Sequence, residues 1–458
     1  MFRLSFAKDS ATRYFVYFGL FYLFLLATLL FFKLKPYEFH LSSLIGIWEG
    51  FQKINPTYIE KDTVIYRDGG YDGQFFFFLA KYISSQFFGG EKLPFPILDS
   101  FFFRFHRITV PLLSGISCSI AGFKNYSLIT LSILIFFHLY SSHKFLRFLL
   151  KEKYQETILS QKESIDPKFS SEKLSLKNRK FQILLFCVYL FNPFALNSNL
   201  LLTSDSLVIS LFTLWVLTPQ KEKTAKFLFL ILLLFSKETA LFLLVPILWG
   251  FLRKREFHSA TLLFSGILVY CIYRVLVLQL EVPNLGTNPI GFTNMVRIPF
   301  QGMLQSFLEG ESRTFLFSNT LNLLYAFSVF LLSSWTILKK KKFHALAFAN
   351  LLVLGVVAIA DVGYFLSYDN FTRLVAITIP VSLFLVVEQD RGFPSKSEQH
   401  PVSTPHSDAE IHSDRVKTSF NLQKTFISFW SLLILVHFLA FLARTAFITQ
   451  PKNYFLSF

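Results

Sequence analysis

Apolar residues run along this chain in long windows, and nearly every window ends in a short polar or basic tract. A helix needs roughly 20 apolar residues to cross the hydrocarbon of a bilayer. Residues 14–32, 126–142 with their flanks, 181–200, 258–279, 314–337, 343–366, 371–388 and 424–446 meet that measure. Residues 206–218 are thinner, and 225–252 is one apolar stretch interrupted by Ser236-Lys237-Glu238. A single helix there would hold both charges at mid-bilayer, which is unfavourable. The pattern therefore predicts a hairpin of two short helices with the charged pair at its tip. The weak stretch 105–122 is expected to dip into the membrane without crossing; a full crossing would reverse the parity of everything downstream.

Basic tracts orient the set, because short loops rich in Lys and Arg stay cytoplasmic. Arg3, Lys8 and Arg13 precede the first window. Lys221, Lys223 and Lys226 precede the hairpin, Arg253, Lys254 and Arg255 follow it, and Lys339 to Lys342 form a block. The expected fold is an all-α polytopic membrane protein with about 11 transmembrane helices and an external C-terminus. In this reading residues 1–13 are cytoplasmic and 14–388 form the main transmembrane domain, with a long first external loop over 33–104 that carries interfacial helices. A cytoplasmic loop follows at 143–180 and an external loop at 281–313. A flexible cytoplasmic linker at 389–423, a last helix at 424–446 and an external tail at 447–458 complete it. The Lys, Glu and Ser of 151–180 and the Ser, His, Pro and Asp of 389–423 suit tethers rather than packed structure.

Composition agrees with the class. The 458 residues are 53% hydrophobic and include 60 phenylalanines, and the mean hydropathy is +0.47. The net charge of +16 comes from tracts between apolar windows, so it sets orientation, and nucleic acid is not an expected partner. Cys118, Cys187 and Cys271 lack CxxC spacing and are expected to be buried thiols. The first window is too long and aromatic for a cleaved signal core and reads as an uncleaved anchor.

Tyr71-Asp72-Gly73-Gln74 is the most informative short segment, since it sets an acid beside the run Phe75-Phe76-Phe77-Phe78, at a membrane surface. On the topology above, Asp72, Arg104, Arg107, Asn197, Asn199, Asp205, Lys237, Glu238, Asp361, Asp369, Asn370 and Arg373 all fall on the external side. Such ionisable groups are functional candidates, and acids mixed with bases suit a reaction that needs a general base and a stabilised anionic leaving group. Other readings stand beside this one. Asp72 would serve as a helix N-cap. Asp68, across Gly69-Gly70, would either be a solvated loop acid or join Asp72 around a divalent ion, the one cofactor that the spacing allows. Arg104 and Arg107, three apart, would share a helical face or snorkel to the interface. Lys237 and Glu238 would pair with each other.

In order, Tyr71-Asp72-Gly73-Gln74-Phe75 with Leu79-Ala80, Arg104-x-x-Arg107-x-x-x-Pro111, Asn192-Pro193 with Asp205, and Lys237-Glu238-Thr239 resemble bacterial multi-pass proteins of cell-surface glycopolymer formation. Those look like the GT-C class of integral-membrane glycosyltransferases, which includes the mannosyltransferases of GPI-anchor assembly. The resemblance runs from about residue 14 to 380, and the family often has Arg where Lys237 stands. It implies a GT-C-like fold in a bacterial cytoplasmic membrane, its active site facing the periplasm or exterior. It also implies a polyprenyl-phosphate-linked sugar donor and a glycan or lipid acceptor. Asp72 would be the base, with Arg104, Arg107, Lys237 and Arg373 as cations for the lipid phosphate and Asp68, Gln74, Asp205, Glu238 and Asn370 as further substrate-binding candidates. The absence of a Walker A sequence and of G-x-G-x-x-G agrees with a lipid-linked donor. The rivals are a transporter or flippase of lipid-linked glycans, and a non-catalytic membrane subunit of a glycan assembly complex.

Overall fold

The computed structural model describes residues 10–88, 91–100, 104–163, 171–280, 297–309, 313–340, 343–365, 368–390, 427–448 and 452–457. The chain is predominantly helical. Among the described residues six helices are long and apolar enough to cross a membrane, or up to seven if one bent pair counts as a single span. The count of 11 expected from the windows is therefore not reached on length and composition, because several windows fold as shorter helices. Most of the expected external loop 281–313 and nearly all of the expected linker 389–423 lie outside the described residues.

Helix α1 (Ser10–Leu34) leads into the first loop. From that loop come α2 (Gly73–Phe87) and α3 (Thr109–Ala121). At 1.5 Å per residue α3 is only about 20 Å long, short of a hydrocarbon core of roughly 30 Å. The 105–122 stretch thus packs on α2 as a short helix. Gly115 makes the approach possible, since a Cβ there would stand 2.7 Å from the Ala80 carbonyl.

Next come α4 (Tyr126–Glu163) and α5 (Ser171–Leu190), whose ends take in the described parts of the expected tether at 151–180. Asn192-Pro193 ends that span and starts α6 (Pro193–Leu200): the Asn192 Oδ1 accepts the Phe194 N–H at 2.9 Å, and Pro193 sits where no N–H is needed. A turn through Leu202, at φ +49°, leads to α7 (Asp205–Leu217).

The 225–252 stretch divides as its charges dictate, into α8 (Lys223–Leu234) and α9 (Thr239–Arg253). Both pack on the helix that follows them, and in addition α8 packs on α7 and α9 on the later α12 (Ala345–Ala358). Between them in sequence lie α10 (Phe257–Leu278) and α11 (Arg313–Lys340). The 343–366 window stops being one helix at Ala358. The 371–388 window is α13 (Tyr368–Val375) and α14 (Thr378–Asp390), bent by 42°. Pro380 explains the bend, because its ring would clash with the carbonyl four residues back in a continuous helix. The last span, α15, covers Ile427–Ala446.

Phe21 and Phe24 on α1, Phe264, Leu268 and Ile272 on α10, and Leu432 and Leu435 on α15 are exposed. An apolar belt of this kind faces lipid. Cys118 is buried and Cys187 half-buried, but Cys271 is exposed on α10, so the expectation of three buried thiols fails there.

A small sheet departs from the all-α expectation. Strand β1 (Ile47–Trp48) pairs in parallel with β2 (Val64–Tyr66), and β2 pairs antiparallel with β3 (Tyr454–Leu456) from the tail. The loop after α1 and the tail after α15 therefore meet in one sheet.

Candidate functional site

The Asp72 turn is built by close backbone packing. Tyr71 donates its hydroxyl to the carbonyls of Ser43 (2.9 Å) and Leu44 (2.7 Å), and its N–H to Gly46 (3.2 Å). Gln74 is buried, and its Oε1 accepts the Trp48 N–H at 3.0 Å. Gln74 is thus a brace for the turn. A Cβ on Gly73 would come 2.7 Å from the Ile45 carbonyl and 3.0 Å from that of Leu201. Glycine stands there because two strands of backbone occupy the space, one of them the α6–α7 turn that carries Asp205. The phenylalanine run anchors the loop: Phe75 meets Phe51 at 4.9 Å and Phe77 meets Tyr126 at 5.0 Å between ring centres.

Asp72 occupies the N-cap position of α2, yet its side chain makes no capping hydrogen bond. It turns instead to three guanidinium groups: Arg104 Nη1 at 2.8 Å, Arg373 Nη2 at 2.5 Å and Arg107 Nη1 at 3.5 Å. Each arginine has another carboxylate as well. Arg104 clasps Asp99 through Nε (2.9 Å) and Nη2 (2.7 Å), Arg107 clasps Glu238 through Nε (3.1 Å) and Nη2 (2.7 Å), and Arg373 Nε donates to Asp205 at 2.9 Å. Lys237 donates to Asp205 and, at 2.6 Å, to the Arg373 carbonyl. Thr203 Oγ1 donates to Asp205 at 3.1 Å. Arg104 also lies over the Phe75 ring, 4.2 Å from its centre.

Seven of the ten residues picked out in the sequence thus converge: Asp72, Arg104, Arg107, Asp205, Lys237, Glu238 and Arg373 sit in this one network, with Gln74 bracing it. The remaining expectations are corrected. Lys237 and Glu238 do not pair with each other; they reach opposite ways, to Asp205 and Arg107. Arg104 and Arg107 meet Asp72 from a turn rather than a helical face, the Arg107 N–H bonding the Arg104 carbonyl at 3.1 Å. Asp68 points to the tail, accepting from Asn453 at 3.2 Å, so the site it would form with Asp72 around a divalent ion is not assembled. No group of three metal-ligating side chains occurs among the described residues. Asn370 donates to the Gly363 carbonyl at 3.3 Å, outside the network.

Asp99 and Arg444 were not legible as site residues. Asp99 lies in a stretch without periodicity, and Arg444 reads as the flank of the last span. Arg444 pairs with Asp369, which also accepts from Asn197 at 2.9 Å, next to the main cluster through α13.

Burial alone would raise the Asp72 carboxyl, but Arg104, Arg373 and Arg107 outweigh it and hold the group well below the usual carboxylate range. Burial likewise opposes, and Arg107 outweighs it to bring, Glu238 down to about 2. Asp205 is 1% exposed and Asp72 16%, so water and small solutes reach the second and not the first. Such an arrangement can bind anions at its guanidinium groups while holding Asp72, partly exposed, among them. Compared with protein-family models, curated proteins and solved structures, the chain matches none.

Proposed function

We propose that this protein is a membrane glycosyltransferase that moves a sugar from a polyprenyl-phosphate-linked donor to a glycan or lipid acceptor on the external face of a bacterial cytoplasmic membrane, in cell-surface glycopolymer assembly. One observation carries the reading: Asp72 is the acid on which all three arginines converge, and every arginine it touches has a second acid. It is the acid whose charge the cluster can lend to chemistry. In the reaction the acceptor hydroxyl gives its proton to Asp72 as its oxygen bonds to the anomeric carbon. The bond from that carbon to the phosphate oxygen breaks, and the electron pair leaves on the lipid phosphate.

While three guanidinium groups hold it, Asp72 is a weak base. An anionic phosphate near Arg104, Arg107 or Arg373 draws part of their charge and raises its basicity. Donor binding would therefore switch the base on. The test is Asp72→Asn in cells: glycopolymer should vanish while the protein is still made and inserted. Wild-type product would remove Asp72 from the mechanism.

A second reading, a transporter of lipid-linked glycans, gains from one feature. Two helices are broken, between α8 and α9 and between α13 and α14, and both breaks lie beside charges of the same cluster, Lys237 with Glu238 and Arg373. Transporters build sites from such breaks. Deletion separates the two: precursor accumulates on the cytoplasmic leaflet for a transporter and on the outer leaflet for the enzyme.

A further inference from the structure

Each cation of the Asp72 cluster is matched by a carboxylate, so a phosphate entering there has to share or displace one. Helix α10 offers a different cation. Arg274 stands near its end, on a helix whose Phe264, Leu268, Ile272, Val275 and Leu276 are exposed to lipid. Among the described residues no carboxylate forms an ion pair with it. An arginine on a lipid-facing helix with no counter-ion among the described residues is costly unless something anionic meets it.

The surroundings are built to receive an anion. Tyr270, one turn earlier and buried, sets its hydroxyl beside the Arg274 guanidinium. His106 is 2% exposed and its Nδ1 has no hydrogen-bond partner among the described residues. Burial, then the charge of Arg274, lowers its imidazole to about 3, so the ring is neutral, and its Nδ1–H tautomer would donate to an anion. Tyr273 fastens α10 to this turn: its hydroxyl donates to the Phe105 carbonyl at 2.7 Å, and its ring meets Phe235 at 4.7 Å. His106 and Tyr270 both lie in the combined field of Arg274, Glu238 and Arg107, which puts this group beside the reaction cluster on its Glu238 side.

We propose that Arg274, with Tyr270 Oη and His106 Nδ1, seats the phosphate of a polyprenyl phosphate, whose chain lies along the exposed apolar face of α10. The inference rests on the lipid-linked donor proposed above and adds where that donor is held. Seated there, the phosphate lies at the edge of the cluster and need not displace Asp72.

The experiment measures binding of radiolabelled farnesyl phosphate to the full-length protein in nanodiscs. Arg274→Gln should weaken it about tenfold or more, as expected for losing hydrogen bonds to a charged group. Arg274→Lys should fall between, and Tyr270→Phe should weaken it several-fold without removing any charge. Farnesol binding should be unaffected by all three. Unlabelled inorganic phosphate should compete poorly; equal competition would overturn the lipid part and leave a free-phosphate site. Wild-type affinity in Arg274→Gln, or in Tyr270→Phe should the first variant not fold, overturns the seat while leaving the glycosyltransferase reading intact. No farnesyl phosphate binding by the unaltered protein sinks the donor class itself.

Discussion

Asp72 and Asp205 both touch Arg373, but they should respond to the same substitution in opposite ways. Asp205 is 1% exposed and receives Lys237, Arg373 and Thr203. Asp205→Asn removes the only carboxylate that Lys237 is paired with among the described residues and turns an amide N–H toward a cation. Breaking a buried pair by deleting one partner costs about 3–5 kcal/mol. Asp72→Asn leaves Arg104 with Asp99, Arg107 with Glu238 and Arg373 with Asp205, so its cost should stay under about 2 kcal/mol, the scale of one charged hydrogen bond. Thermal unfolding in detergent, followed by the labelling of buried Cys118 with a thiol-reactive dye, ranks the two. Asp205→Asn should unfold at a clearly lower temperature than Asp72→Asn, yet Asp72→Asn should make no polymer. A further comparison isolates the cause. Replacing both members, Asp205→Leu with Lys237→Met, should recover much of the loss, since an apolar pair of similar volume leaves no unmatched charge between them. A double variant as unstable as the sum of its singles, or an Asp72→Asn protein as unstable as Asp205→Asn, would refute this division of labour.

Other consequences are quicker to check. A carboxyl held below its unfolded value adds stability that is complete above that value and is lost as pH falls through the folded one. The difference in melting temperature between the unaltered protein and Asp72→Asn should therefore be flat from pH 8 to 5 and close below about pH 4, as differential scanning fluorimetry would register. Gly73→Ala pushes a methyl against the Ile45 and Leu201 carbonyls; overpacking of that kind costs about 1–3 kcal/mol, and polymer output should fall with the melting temperature. Removing residues 452–457 strips β3 from β2, so hydrogen exchange at Ile65 and its neighbours should speed up and activity should drop, while the amides of α7 stay protected.

The sequence carried the kinds of residue in the site further than their pairings. Asp72, Arg104, Arg107, Asp205 and Arg373 stand out because a charge at the edge of an apolar window is expensive, and that expense is visible without coordinates. Lys237 and Glu238 are adjacent, and their opposite charges invite pairing; the turn between α8 and α9 sends consecutive side chains to opposite sides, which only the packing of α7 and the 104–107 turn decides. Asp99 matters through its bidentate geometry on Arg104, and no spacing announces that. For the helices, windows defined by hydropathy merge elements that a proline or a charged turn divides, as at Pro380 and Ser236-Lys237-Glu238. Short helices such as α3 and α7 bury polar residues among their neighbours, so their apolar character records protein contact as much as lipid.

The antiparallel pairing of β2 with β3 joins positions as distant as Thr63 and Ser457, 394 residues apart in sequence. During synthesis the early parallel pair of strands must wait, with an open edge, while every intervening span is threaded into the bilayer. Only when the tail emerges on the same side does the last strand close the platform beneath Tyr71 and Asp72. The support of the Asp72 turn is thereby withheld from nascent and half-inserted chains, and only a completed fold has the whole cluster in place.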